Sequence, residues 1–260
     1  MNKTKTIVFI TGAFVSHDIW DEWKAYFTAK GYTTLAPSWP GKEASAEAPG
    51  NDVNFSKSNL NDIIAYYESV IMSMPQKPIV IGHSIGGLIV QSLVNRDLVA
   101  AGIAIHSTPP KGVFSFEWSF LKSIIKPLGL FPFSKTIYKM SFSDWKYTFT
   151  NGFDTEAQQK YYDRYCIAES RKILRDALFS APKMDFNKHH PPLLLTTGSN
   201  DHIVPQSLVY ENYIKYNKNH SVTHYQAFSN RSHLVLRQPG WQDVAEFILA
   251  WLEININEEA

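Results

Sequence analysis

The feature that most constrains the fold is an alternation of short apolar runs with helical patterns in both halves of the 260-residue chain. Apolar runs that stop at glycine, proline or polar residues are typical of strands buried in a sheet. They predict six strands, at residues 6–11, 32–36, 79–81, 101–105, 193–197 and 222–228. Helical spacing predicts helices at 20–30, 60–74, 86–95, 206–216 and 241–255. Strands joined by helices predict an α/β fold, a mostly parallel six-stranded sheet with helices on both faces.

The alternation stops between residues 109 and 192, where the sequence is rich in aromatic residues. This stretch predicts an inserted helical cap over the carboxyl ends of the strands, the edge at which open α/β sheets bind ligands. We therefore expect a core made of residues 1–108 and 193–260 and a cap made of residues 109–192. The polar tail at 257–260 is expected to fray.

Composition excludes several classes of protein. With 44% hydrophobic and 19% charged residues the chain is not of the disordered class. A net charge of +1 gives no strong positive electrostatic field that would attract nucleic acid. No run approaches the roughly 20 apolar residues of a membrane span. Thr11 and Gly12 interrupt the first apolar run, which favours a buried strand over a signal peptide and predicts a cytoplasmic protein. The single cysteine, Cys166, is expected to be a buried apolar residue rather than a nucleophile.

The segment Gly82-His83-Ser84-Ile85-Gly86 carries the clearest chemical signal. It fits the pattern G-x-S-x-G and lies between a predicted strand and a predicted helix, the setting of a nucleophile elbow. A serine in such a strained turn needs neighbours without Cβ atoms, which explains the two outer glycines. A glycine-rich turn with an incidental serine is the alternative, and the strand–turn–helix context favours the elbow.

A serine hydroxyl needs a base that a carboxylate orients, and two late loops supply both groups. Asp201 follows the predicted strand at 193–197, and His233 follows the last predicted strand. The order Ser84, Asp201, His233 is the one that accompanies a nucleophile elbow. Residues 105–109, after the fourth predicted strand, carry no rival carboxylate. The alternative role of Asp201 as a helix N-cap would leave His233 without an orienting partner.

Other polar and aromatic residues have weaker signals. The Pro–Gly segment at 39–42 is interpreted as an ordinary turn rather than part of the entrance. His83 lies inside the elbow, and the resemblance to a known family that is described below implies that it supports this turn. Histidine spacing typical of a metal site and a phosphate-binding glycine loop are both lacking in the sequence, so we predict no metal and no cofactor. The expected substrate pocket comprises Phe14, His17, His106, Phe116, Trp118 and Leu234.

Together the elbow, the G-x-x-D-x-x-V-P loop around Asp201 and the Ser-His pair at 232–233 resemble the α/β-hydrolase superfamily over nearly the whole chain. The resemblance implies an oxyanion hole formed by the backbone N–H groups of Ala13 and Ile85. Members of this superfamily usually have His-Gly where this chain has Thr11-Gly12. A serine at position 84 argues against the dehalogenases and epoxide hydrolases of the superfamily, which use aspartate there. The sequence is expected to lack the antiparallel N-terminal hairpin of larger members.

The resemblance and the motif predict a serine hydrolase that cleaves a small or medium hydrophobic carboxylic ester, thioester or lactone through an acyl-enzyme. The aromatic residues of the expected cap suggest an apolar substrate, although they would also serve as the cap's own core. Two alternatives stay open at this point. One is a cofactor-free lyase of the hydroxynitrile-lyase type, and the other is a ligand-binding member that does not catalyse a reaction.

Overall fold

A six-stranded parallel sheet forms the centre of the computed structural model, which describes residues 4–42, 58–130, 135–216 and 220–256. The strands of this sheet are β1 (Thr6–Ile10), β2 (Thr33–Leu35), β3 (Ile79–His83), β4 (Ala101–Ile105), β7 (Leu193–Gly198) and β8 (Thr223–Phe228). Two further strands, β5 (Ile137–Tyr138) and β6 (Glu169–Ser170), form a separate pair. The sheet order is β2-β1-β3-β4-β7-β8, and every neighbouring pair is parallel. The predicted fold class is confirmed, while the predicted tail at 257–260 lies outside the described residues.

Helices connect the strands of the sheet. They are α1 (Asp21–Ala29), α2 (Leu60–Met72), α3 (Ile85–Asn95), α4 (Trp118–Leu128), α5 (Phe142–Thr148), α6 (Thr155–Tyr165), α7 (Arg171–Phe179), α8 (Gln206–Tyr216) and α9 (Trp241–Asn255). A 3-10 turn at His17–Trp20 precedes α1. Within the described ranges, no helix has the length and apolar character needed to cross a membrane.

The register of β1 and β3 shows that helices cover both faces of the sheet. Ile10 pairs with Gly82, so the two positions point to the same face. A Cβ atom at Gly82 would contact Val90 of α3, which places α3 on that face. Phe9, the neighbour of Ile10, therefore points to the opposite face, and its ring packs on Phe27 of α1 and on Trp20.

Residues 109–192, here called the insertion, connect β4 to its neighbour β7 and contain α4 to α7. This segment is largely helical, but it also contains β5 and β6, an antiparallel pair that the sequence did not predict. Each of these strands is two residues long, too short to produce an alternating pattern. Helix α4 packs against α7, and α7 packs against α2 of the core.

Candidate active site

Ser84 occupies a strained turn between the end of β3 and the start of α3. Its backbone has φ 58° and ψ −120°, a conformation that residues other than glycine rarely adopt. Its N–H donates to Ile105 O at 3.0 Å. The glycines of the motif are required by close packing. A Cβ at Gly82 would lie 2.2 Å from Gly86 O, and a Cβ at Gly86 would lie 2.2 Å from Ile10 O. The turn therefore holds Ser84 at the carboxyl edge of the sheet, 6% exposed.

Asp201 and His233 form a buried pair beside this turn. His233 Nδ1 donates to Asp201 Oδ2 at 2.7 Å, and both side chains are fully buried. The other oxygen, Oδ1, accepts the N–H groups of Ile203 and Val204, each at 2.8 Å. Burial alone would raise the pKa of Asp201, but the two neighbouring imidazoles, His233 and His106, bring it well below its usual range. The carboxylate thus fixes the His233 ring, whose buried Nε2 has no hydrogen-bond partner among the described residues.

A second histidine, His106, binds the same carboxylate oxygen. His106 Nδ1 lies 2.8 Å from Asp201 Oδ2, and the residue follows directly after β4 with φ 46°. Burial lowers its pKa, partly offset by the bond to Asp201, so the ring is neutral near pH 7. His106, Asp201 and His233 have the composition of a metal site, with donor atoms within 4.8 Å of one another. Their closest N···O distances of 2.7 and 2.8 Å are those of hydrogen bonds.

The loop after β1 lies against the serine. A Cβ at Gly12 would be 2.7 Å from Ser84 Cβ, so only glycine permits this approach. Phe14 follows with φ 66°, a left-handed conformation in a residue other than glycine. Within the described part of the chain, no acceptor receives a hydrogen bond from the backbone N–H of Ala13 or Ile85. Two unsatisfied amides thus flank the Ser84 side chain.

These groups open into one cavity of ≈ 180 Å³ between the sheet edge and the insertion. Ser84, His233, Ala13, Ile85 and Phe14 all line it. The remaining walls are mainly apolar side chains from the insertion and from the loop after Asp201. They are Pro109, Pro110, Val113, Phe114, Phe120, Ile124, Pro127, Leu128, Met140, Phe149, Leu174, Ala177, Leu178, Ile203 and Val204. Thr108, Lys111, Gly112 and Ser123 complete the lining.

Several residues expected in the substrate pocket lie elsewhere. Phe116 and Trp118 do not line the cavity, since they are 84% and 75% exposed at the start of α4. Leu234 is buried beneath Phe149, to whose carbonyl its N–H donates at 2.9 Å. The residue whose ring does line the cavity at that place is Phe149, which packs edge-on against His233.

Three histidines are also absent from the lining. His17 stands at the start of the turn before α1, and its Nδ1 lies 3.3 Å from Ser38 Oγ. His106 does not line the cavity, and its Nδ1 is hydrogen-bonded to Asp201. His83 Nε2 lies 2.8 Å from His233 O, so the ring lies behind the elbow, against the loop that carries His233. Burial lowers the pKa of His83 well below its ordinary value, with the neighbouring imidazoles adding to the shift.

Cys166 is buried in the insertion, 1% exposed. Burial raises the pKa of its thiol to about 12, so the thiolate that a nucleophile requires is not formed near pH 7.

Comparison with known proteins agrees with this architecture. Residues 7–246 match the model of the alpha/beta hydrolase family. The chain belongs to the alpha/beta hydrolase family. A comparison with curated protein sequences finds no significant match.

Solved structures of hydrolases superpose on nearly the whole chain at low sequence identity. A monoacylglycerol lipase from Paleococcus ferrophilus is 19% identical with a TM-score of 0.70, covering 97% of this chain and 96% of the lipase. An extracellular alpha/beta-hydrolase from a Paenibacillus species is 18% identical with a TM-score of 0.72, covering 94% and 98%. A methylesterase from Arabidopsis is 14% identical with a TM-score of 0.66, covering 96% and 99%. At these identities the likeness shows the fold.

Proposed function

We propose that this chain is a carboxylic-ester hydrolase in which Ser84 is the nucleophile, His233 the general base and Asp201 the orienting acid. The observation that carries the proposal is that Ser84, on its strained turn, and the buried His233–Asp201 pair open into one apolar cavity. The fold of the lipase and esterase structures above supports the same class of reaction.

The reaction follows from the positions of the groups. Ser84 Oγ attacks the acyl carbonyl and transfers its proton to His233 Nε2, the ring nitrogen to which no described residue binds. Asp201 accepts a hydrogen bond from Nδ1 of His233 and so keeps one proton on that nitrogen. Nε2 is therefore the basic nitrogen of the ring. When the tetrahedral intermediate collapses, His233 gives the proton that it took from Ser84 to the leaving alcohol. Water then attacks the acyl-enzyme by the same route and releases the carboxylic acid.

The oxyanion requires donors that are unoccupied before the reaction. The N–H groups of Ala13 and Ile85 meet that requirement, since neither donates to another described residue. The N–H of Phe14 does not, because it donates to the carboxylate of Glu169 at 3.2 Å. Ala13 and Ile85 are therefore the proposed oxyanion hole.

The substrate class follows from the walls. Aliphatic and aromatic side chains line most of a cavity of ≈ 180 Å³, which suits a small or medium hydrophobic acyl or alcohol group. The insertion supplies one side of this wall through α4 and α7, so it acts as the cap of the site. Thioesters and lactones of the same size present the same carbonyl chemistry.

The test is hydrolysis of p-nitrophenyl esters of increasing acyl length by the wild type and by Ser84→Ala. We expect turnover by the wild type, best with short to medium acyl chains, and a loss of about 10³-fold or more in Ser84→Ala. Ser73→Ala, a serine at the end of α2, is the matched control and keeps full activity. A fluorophosphonate probe adds mass to the peptide that contains Ser84 in the wild type alone.

Full activity in a folded Ser84→Ala protein would overturn the proposal. A folded wild type that cleaves no ester would also overturn it, and cyanohydrin cleavage would be measured next. That lyase reaction needs a nearby cation, for which Lys111 is the cavity-lining candidate.

A further inference from the structure

A buried ion pair joins the insertion to the core next to the oxyanion loop. Lys42 Nζ lies 2.8 Å from Glu169 Oε2, and the two side chains are 5% and 0% exposed. Neither residue lines the cavity. Removing two charges from water costs several kcal/mol per ion, so the hydrogen bonds that the pair makes to its surroundings indicate what it does.

Both charged groups bind the backbone on either side of Ala13. Lys42 Nζ lies 3.4 Å from Gly12 O, while Glu169 Oε2 accepts the N–H of Phe14 at 3.2 Å. Glu169 itself is fixed, because its Oε1 accepts the N–H of Ser170 at 2.9 Å. The loop is held from the insertion a second time, since Ile167 N–H donates to Phe14 O at 2.9 Å.

Peptide geometry connects the lysine to the oxyanion donor. The carbonyl of Gly12 and the N–H of Ala13 belong to one planar peptide unit and point in opposite directions. A cation bound at the oxygen therefore fixes the direction of the N–H. It also polarises the peptide, which makes the N–H a stronger donor.

The glutamate explains why the loop keeps its unusual backbone. Phe14 has φ 66°, a strained conformation that persists only where the surroundings enforce it. The bond from its N–H to Glu169 supplies that constraint and keeps this amide away from the oxyanion. A lone carboxylate at this place would repel a developing oxyanion, and Lys42 neutralises it.

We infer that Glu169 and Lys42 are positioning residues for transition-state stabilisation: together they orient and polarise the Gly12–Ala13 peptide whose N–H binds the oxyanion. The inference rests on the proposed ester hydrolysis. It gives the insertion a role in the chemical step as well as in substrate binding, because Glu169 belongs to the insertion.

The first test is Glu169→Gln, which keeps the shape of the side chain and removes its charge. Removing an oxyanion donor costs about 10²–10³-fold in kcat, so misorienting one is expected to cost about 10-fold or more. KM for a p-nitrophenyl ester should change less than threefold, as expected for an interaction made only in the transition state. Inhibition by an alkyl boronic acid, which forms a tetrahedral adduct with serine, should weaken by the same factor as kcat/KM. Glu68→Gln removes a carboxylate from α2, away from the loop, and should leave all three values unchanged.

A double variant separates positioning from simple stability. Lys42→Met combined with Glu169→Gln removes both charges of the pair together, so its Tm should exceed that of Glu169→Gln alone, which removes only one of them. A purely structural role predicts that kcat recovers together with Tm. The inferred role predicts that kcat stays low and that inhibition by the boronic acid stays weak in the double variant, although its Tm exceeds that of Glu169→Gln.

The outcomes are distinguishable. Wild-type kcat in a folded Glu169→Gln protein, or recovery of kcat in the double variant, would overturn the inference and leave the ester-hydrolase proposal standing. A wild type without Ser84-dependent turnover would overturn both.

Discussion

Asp201 accepts four hydrogen bonds, and the identity of these donors sets the chemistry of the base. His233, Ile203 and Val204 supply three of them, as an orienting carboxylate requires. The fourth comes from His106 and reaches the same oxygen that holds His233. A carboxylate that shares its charge between two imidazoles stabilises the imidazolium of His233 less than one that serves it alone.

The bond from His106 predicts a loss of rate when it is removed. In His106→Leu the carboxylate of Asp201 loses one of its donors, and kcat should fall about 10-fold, the equivalent of one charge-assisted hydrogen bond. Esterase kinetics of the two proteins measure this effect. His106→Asn, whose amide can replace Nδ1 as donor, is the matched control and should keep the wild-type kcat; equal kcat values for all three proteins would contradict the prediction.

The residues of the site differ in how far the sequence could predict them. Ser84, Asp201 and His233 stand out through a motif and through their order after predicted strands. The bond of His106 to Asp201 spans 95 positions, and the pair of Lys42 with Glu169 spans 127, so neither leaves a local pattern. A buried lysine and an exposed one look the same in a sequence, so the segment at 39–42 predicts only an ordinary turn.

At the scale of elements, two arginines join the two helices that form the cavity wall. Arg175 donates to Leu128 O at 2.8 Å and to Gly129 O at 2.6 Å, and Arg171 donates to Lys126 O and Pro127 O, each at 2.5 Å. These carbonyls lie at the carboxyl end of α4, where positive charge is favourable. Helix α7 thus holds α4 by its end, and both helices line the cavity.

Loosening this connection should affect substrate binding more than chemistry. We expect Arg175→Met to lower stability by about 1–2 kcal/mol and Tm by a few degrees, because two charge-assisted bonds of a half-buried side chain are lost. KM for a medium-chain ester should rise, since α4 no longer holds its wall in place, while kcat for a short-chain ester should stay near the wild-type value. Thermal melts and kinetics with two esters measure these effects. Lys172→Met, an exposed residue on the same helix, is the control; a fall in kcat without a rise in KM would refute this role.

Elements also show where sequence patterns stop being informative. The strands and helices of the sheet were predictable because burial on one or two faces imposes a period, and glycine or proline marks each end. The insertion follows other rules, because its short strands are held by distant contacts, such as Arg171 N–H donating to Thr136 O. Helices α4 and α7 meet through Arg171 and Arg175, which lie 44 to 47 positions from the carbonyls they bind, and no local period records such contacts.

At the scale of the whole molecule, the cluster behind the elbow makes the fold sensitive to acid. His83 and His106 are 1% and 0% exposed, and burial lowers the pKa of both below the ordinary value of 6.5. In the unfolded chain these rings take up protons near pH 6.5, whereas in the fold they stay neutral to lower pH. Unfolding therefore binds protons, and stability falls as pH drops below 6.5.

Asp201 acts in a different pH range, although its sign is the same. Its folded pKa is held well below the usual value, so its contribution is fully present above pH ~4 and is lost only as pH falls toward the folded pKa. The range from pH 6.5 to 5 thus belongs to the buried histidines, His83 and His106 together with His190, whose pKa burial also lowers. Each contributes a slope of up to about 1.4 kcal/mol per pH unit there.

We therefore expect Tm to be nearly constant from pH 8 to 7 and to fall progressively from pH 6.5 to 5. His106→Asn removes one of these three protonatable rings and keeps the hydrogen bond to Asp201, so the slope of stability against pH should fall by about a third. Calorimetric or fluorescence melts of both proteins across this range give the two slopes. His224→Asn changes a histidine outside the cluster, which contacts Trp251, and should leave the wild-type slope unchanged. A Tm that is independent of pH between 6.5 and 5, or equal slopes for wild type and His106→Asn, would contradict the assignment of acid sensitivity to this cluster.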